Sequence, residues 1–325
     1  MKFGRSALAV LVSLVSAHGV AFAQSDYPNK PITLIIPFPA GGVTDVVGRE
    51  VARHITLALK QPVVIDNRAG AGGNVGTLAL SRSKPDGYTL GILTVSAMSI
   101  GPHVTKNLGF NPSKDFTPIT NVVRTDGAIV AHSATPFSTV QELVSFAKAN
   151  PGKVSYASVG NGSIPHLTAE MFSQQAGISM LHVPYRGGAA AFQDVLAGHV
   201  NLSFETSLVS AVSNLSSGRL KMLGTTGPKR AGAVPNVPTI AESGFPNFSA
   251  QAWFGLFGPA NLPRQIVDSL NKITTTALRD AEVAAKFEKL GVIPDPHTPE
   301  SFATFLRVED KRWKAVAKTL NLQLD

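Results

Sequence analysis

The chain has no cysteine among its 325 residues. That absence removes disulfide scaffolds, thiol nucleophiles and cysteine-ligated zinc or iron–sulfur centres together. Charge is also sparse: Asp, Glu, Lys and Arg make up 15% of the residues, and basic side chains such as Lys60, Arg68, Lys84 and Lys114 are scattered. With aromatic residues at 7%, the basic and aromatic patch that nucleic-acid binding requires is missing. Neither a G-x-S-x-G elbow nor an H-E-x-x-H pair occurs. His54, His103, His132, His166, His182, His199 and His297 stand at no i, i+3 or i, i+4 spacing, so none prepares a helical metal site. The 29 glycines and 22 prolines follow no period, which excludes collagen-like and low-complexity chains. What is present is 44% hydrophobic residues in a chain long enough for two globular units.

Long apolar runs are lacking too, apart from a short one at the start. Lys2 and Arg5 precede an apolar stretch from Ala7 to Ala17, and Ala21-Phe22-Ala23 closes it. A basic start, a short apolar core and an A-x-A exit form the pattern of a cleaved secretory signal. Ser13, Ser16, His18 and Gly19 interrupt the run, which is shorter than the ~20 apolar residues needed to span a bilayer. The expectation is a signal peptide over residues 1–23, cleaved after Ala23, and a mature protein outside the cytoplasm. Removing 23 residues, two of them basic, leaves 302 and lowers the formal charge from +8 to +6.

The rest alternates strand-like and helix-like segments. Pro31 to Pro37, Pro62 to Asp66 and Tyr88 to Leu93 read as strands, with a helix striped by Val47, Val51, Ile55 and Leu59 between the first two. The pattern restarts at Ala128, with strands at 154–158, 180–184, 202–205 and 220–225 and helices between them. After Gly227 come a proline-rich loop, one aromatic strand at 252–257 and three helices from Pro263 to Leu320. This order implies parallel sheets with helices on their faces. The expected fold class is α/β with two lobes: residues 24–125 with 228–325, and residues 126–227. Ligands in such folds lie beyond the carboxyl ends of the strands, which here is the cleft between the lobes.

Two glycine turns suit an anion. Phe38 to Asp45 joins the first strand to the first helix: Gly41 and Gly42 let the backbone approach a ligand, and Thr44 or Asp45 can cap the helix. Gly160-Asn161-Gly162-Ser163-Ile164-Pro165-His166 occupies the matching place in the second lobe, with Pro165 preorganised for a first helical turn. Amides at such helix starts favour carboxylates and phosphates. A third strand–glycine–helix turn runs from Pro184 to Ala189, where Tyr185 and the backbone are favoured over Arg186 as ligand contacts. Gly70 to Gly76 fails as a dinucleotide fingerprint, because Val75 stands where the third glycine belongs; its Asn74 is expected near the cleft.

Taken in order, Tyr27-Pro28-Asn29-Lys30-Pro31-Ile32, Pro37-Phe38-Pro39-Ala40-Gly41-Gly42 with Asp45, Asn67-Arg68-Ala69-Gly70-Ala71-Gly72-Gly73-Asn74, Pro85-Asp86-Gly87-Tyr88-Thr89-Leu90, Val183-Pro184-Tyr185-Arg186-Gly187-Gly188 and Trp253-Phe254-Gly255-Leu256 resemble the substrate-binding proteins of tripartite tricarboxylate transporters, the Bug family. The likeness covers essentially the whole chain after Ala23. It implies a periplasmic receptor with the type II binding-protein fold. Such a receptor is a monomer without cofactor, metal or catalytic residue, and it holds a small carboxylate by backbone amides and waters before presenting it to membrane permease subunits. Carried onto this sequence, the ligand-binding residues are Phe38, Ala40, Gly41, Gly42, Thr44, Asp45, Asn74, Ser96, Gly160, Gly162, Ser163, His166, Tyr185, Gly188 and Glu205. Glu205 stands where the family often has Asp, and Thr94 to Met98 is more apolar than expected, which hints at a ligand with a less polar body. The alternatives are a receptor feeding a membrane sensor and an exported hydrolase using His166 and Ser163.

Overall fold

The computed structural model describes residues 27–289 and 291–320. The expected signal peptide and its cleavage site lie outside the described residues. The first unit begins β1 (Ile32–Ile36), α1 (Val43–Leu59), β2 (Val63–Asn67), α2 (Asn74–Ser81), β3 (Thr89–Thr94), α3 (Gly101–Val104) and β4 (Phe116–Asp126). The second follows with β5 (Ala128–His132), α4 (Val140–Ala149), β6 (Ser155–Ser158), α5 (Ile164–Ala176), β7 (Leu181–Pro184), α6 (Gly188–Leu196), β8 (Leu202–Glu205), α7 (Val209–Leu215) and β9 (Leu220–Thr225). The chain then returns through β10 (Gln251–Pro259), α8 (Arg264–Leu278), α9 (Ala281–Lys289), β11 (Val292–Pro294) and α10 (Pro299–Leu320).

One sheet has the order β11-β4-β10-β3-β1-β2 and the other β7-β6-β8-β5-β9. Leaving β11 aside, the two share one plan: the strand that enters after a crossing inserts antiparallel, β10 beside β3 in one sheet and β5 beside β8 in the other. Each sheet therefore reverses its direction of winding beside β1 or β6, between β1 and β3 and between β6 and β8. Loops leaving the carboxyl ends at those points diverge and leave a crevice.

Alternation carried the assignment where one face is buried. On α1, Val47, Val51 and Ile55 face the sheet and are buried. The 11-residue β4 was not anticipated, because its sequence FTPITNVVRTD is rich in polar residues. The C-terminal segment pairs them: Thr120 Oγ1 donates to the His297 carbonyl (2.9 Å) and Asn121 Nδ2 to Asp295 Oδ2 (2.8 Å).

The chain returns to the first sheet only at β10, later than the boundary after residue 227 expected from sequence. Ile240, Phe248 and Ala250 pack in the core of the second lobe, and Ala231 and Val234 against its other face. The two crossings run side by side: Thr226 Oγ1 accepts the Gly127 N–H (2.8 Å) and donates to the Ala250 carbonyl (2.6 Å). Among the described residues no helix is long and apolar enough to cross a membrane, and no group of three His, Asp or Glu side chains could hold a metal ion.

Candidate ligand site between the lobes

A cavity of about 240 Å³ lies between the lobes. Loops after β1 (Phe38 to Thr44) and β3 (Val95, Ser96) close it from one side; Val159, the turn Arg186 to Ala190 and Thr206 close it from the other. It therefore opens at both crevices that the topology creates. The lobes abut beside it. A Cβ on Gly187 would fall 2.8 Å from the Pro39 ring carbons, and one on Gly72 would fall 3.1 Å from the Asn161 carbonyl oxygen.

Two helices aim their amino ends at this cavity, one from each lobe. In α1 the first turn closes with the Val46 N–H on the Gly42 carbonyl (3.0 Å); in α6 with the Ala191 N–H on the Gly187 carbonyl (3.2 Å). The N–H groups of Val43 and Thr44, and of Gly188, Ala189 and Ala190, come before those bonds, and all five residues line the cavity. The partial positive charge of each helix start adds to the attraction for an anion. Around this cavity the Phe38–Thr44 loop faces the Arg186–Ala190 turn, while the Gly160–His166 turn contributes Ile164 alone.

Of the expected residues, Phe38, Ala40, Gly42, Thr44, Ser96 and Gly188 line the cavity. Asn74, Gly160 and Tyr185 line a second, more open cavity of about 500 Å³, which shares Val159 and Arg186 with the first. Gly41, Asp45, Gly162, Ser163, His166 and Glu205 line neither. In each case hydrogen bonding or burial explains why.

Asp45 Oδ2 accepts the Gly41 N–H (3.0 Å) and Arg49 Nε (2.8 Å), and its Oδ1 accepts Asn67 Nδ2 (3.0 Å). Burial works to raise the pKa of this carboxyl, but the bonds from Arg49, Gly41 and Asn67 outweigh it and hold the group below the usual carboxylate range. Asp45 thus shapes the loop after β1, and the Gly41 amide is engaged by it.

In the second lobe, His166 Nδ1 accepts the Gly162 N–H (3.2 Å), and its ring stacks on His182 with centroids 4.2 Å apart. His182 Nε2 in turn pairs with Ser158 Oγ (2.6 Å). Burial pushes both imidazoles down to about 4. Ser163 is fully buried and its hydroxyl donates to the Gly160 carbonyl (2.6 Å). The turn is therefore internally bonded, and the Ser163–His166 contact that the hydrolase alternative needs is not made. Its remaining amide of note, Ile164 N–H, is accepted across the lobes by Ser96 Oγ (3.1 Å).

Tyr185 donates its hydroxyl to Asp194 (2.5 Å), and burial, reinforced by that carboxylate, pushes its pKa up to about 12. Glu205 accepts from Ser203 Oγ (2.6 Å); although part of its surface is solvent-reached, desolvation of its carboxyl raises it to about 7. Sequence reading placed Thr94 only within a run that bears on the ligand, missed Val159, Thr206, Ala252 and Phe254, which also line the cavity, and set Arg186 aside. Position just after a strand end was the available signal for Val159 and Thr206. For Ala252 and Phe254 there was none, because their strand joins the first sheet from far along the chain.

Two similar open α/β sheets, two adjacent crossings and a cavity at both switch points define a two-lobed solute-binding protein of the periplasmic type. The chain belongs to the tripartite tricarboxylate transporter family receptors (TctC), whose family model matches residues 47–322. It is similar to Protein BugT of Bordetella pertussis, with 34% identity over 320 residues that cover 98% of each chain. The solved structure of the periplasmic binding protein BugD superposes with a TM-score of 0.86 at 32% identity, covering 91% of this chain and 99% of that one. R. palustris Rpa4515, solved with adipate, superposes with a TM-score of 0.89 at 31% identity, covering 92% and 99%.

Proposed function

We propose that this receptor captures a small carboxylate between its lobes and delivers it, chemically unchanged, to the membrane subunits of a tripartite tricarboxylate-type transporter. The observation that carries the reading is the convergence of the α1 and α6 amino ends, from opposite lobes, on one cavity. Only with the lobes together can one anion meet both sets of amides, so capture and closure are the same event. The paired crossings at Gly127 and Ala250, held by Thr226, supply the hinge.

Magnitudes fit this mode. A hydrogen bond to a charged group contributes about 1.5–3 kcal/mol. Three or four of them, less the cost of ordering ligand and lobes, suit a micromolar dissociation constant, equivalent to about 8 kcal/mol. No lysine or arginine clamp is needed. The carboxylate in the Rpa4515 structure supports the ligand class, and the family supports the transporter partner.

The test is calorimetric titration with a panel of small carboxylates, followed by chromatography of the recovered ligand. Saturable binding of a carboxylate returned intact is expected. Conversion of the ligand, or no binding by any carboxylate, contradicts the reading.

A further inference from the structure

A carboxylate held at the two helix ends occupies only part of the cavity, and the remainder is apolar. Phe38, Val95, Val159, Ile164, Ala252 and Phe254 supply its walls. At about 240 Å³ the space is smaller than the ~300–1,000 Å³ of pockets that take drug-sized ligands. A second carboxylate set against these walls would lose its water without gaining a counter-charge. The cavity's one cation, Arg186, is exposed and borders the larger cavity as well.

One buried polar group bordering the cavity has nothing to bond. Thr94 is 3% exposed, lines the cavity, and its Oγ1 has no hydrogen-bond partner. It stands directly opposite Phe254 in the antiparallel β3–β10 register, so the two side chains share one face of the sheet. Ser96, by contrast, already accepts the Ile164 N–H. A buried hydroxyl left unpaired beside a cavity calls for a partner, and a ligand group there completes its bonding.

Resting on the carboxylate reading above, we propose that the ligand is a monocarboxylate with an apolar body about one ring in size. It bears a single uncharged hydroxyl or carbonyl group that pairs with Thr94, and Thr94 with Phe254 sets this specificity. The hydroxyl rewards one neutral polar substituent at one position, while Phe254 and the aliphatic walls exclude charge around it.

Calorimetry at pH 7.5 with benzoate, the three hydroxybenzoates and cyclohexanecarboxylate, against adipate, malate and citrate, tests this. The ring acids are expected to bind, with one hydroxybenzoate at least tenfold tighter than benzoate. Thr94→Val, which replaces the hydroxyl by a methyl group, should abolish that tenfold advantage and change benzoate affinity less than threefold. Thr94→Ser should keep the advantage, and matching thermal melts of the variants establish that the fold is retained. The inference is overturned if no hydroxybenzoate exceeds benzoate, or if the advantage survives Thr94→Val. It is also overturned if adipate, malate or citrate binds tenfold tighter than every ring acid; a tenfold loss of that binding in Arg186→Gln would then place a second carboxylate at the rim. Either result leaves the carboxylate receptor standing, whereas silence across the whole panel removes both.

Discussion

Ser96 and Ile164 belong to different lobes, yet the Ser96 hydroxyl accepts the first amide of α5 at 3.1 Å, with both residues buried. This bond exists only while the lobes are together. It uses a helix-start amide that sequence assigned to the ligand, and turns it into a latch beside the cavity.

Ser96→Ala leaves that amide buried without an acceptor in the closed state, at a cost of about 1–3 kcal/mol. The open state, where water reaches the amide, is barely affected. Ligand affinity should fall about tenfold, with a shift towards the open form in small-angle scattering, while the melting temperature of the unliganded protein changes little. Unaltered affinity would show that the latch adds nothing to closure.

Gly187→Val tests closure by bulk alone. Its φ is −178°, which any residue adopts, so the backbone is not strained. The added Cβ meets the Pro39 ring at 2.8 Å across the lobe boundary. Binding should be lost or fall at least a hundredfold, with a circular dichroism spectrum like that of the parent. Wild-type affinity in this variant would mean that Pro39 and Gly187 do not meet in the bound state.

Asp45→Ala frees the Gly41 amide and removes the acceptor shared by Arg49 and Asn67. The loop after β1 should loosen, costing about tenfold in affinity, or ~1.4 kcal/mol. Because the folded-state pKa of this carboxyl lies below 3.8, its contribution to stability is complete above that pH and is lost as pH falls below it. Denaturation curves at pH 7 and pH 3 should differ less in the variant than in the parent. Identical differences would assign Asp45 no part in acid stability.

The stacked histidines predict a second acid dependence. With His166 and His182 down to about 4 when folded and 6.5 when not, the unfolded chain takes up their protons first as pH falls. Their environment is thus fully tolerated above pH 6.5 and destabilising between 6.5 and 4. The slope can reach about 2.7 kcal/mol per pH unit for two protons. Glu170 is the acid that works against the shift at His182. Imidazole resonances of both should show neutral rings at pH 5.5; a charged ring at either position would contradict the burial described.

Much of this arrangement was legible from the sequence, and the rest was hidden for physical reasons. Strand–glycine–helix turns announce themselves locally, so the loops after β1, β6 and β7 were all found. Which two converge depends on how the lobes meet, and three such turns look alike along a chain. In Gly160–His166 the Gly162 amide is taken by His166 and the Ile164 amide by Ser96 of the other lobe, a bonding that spacing alone does not reveal. β4 was hidden because the partners of Thr120 and Asn121 lie more than 170 residues further on. Phe254 reads as one more aromatic strand residue until β10 is laid beside β3.

The most direct test of the central claim is a crystal structure of the protein saturated with the tightest-binding carboxylate. It should place one carboxylate group within hydrogen-bond distance of the Val43 or Thr44 amide and, at the same time, of the Gly188 or Ala189 amide. A carboxylate bound by one lobe alone, or lodged in the larger cavity beside Asn161 and Tyr185, would contradict it.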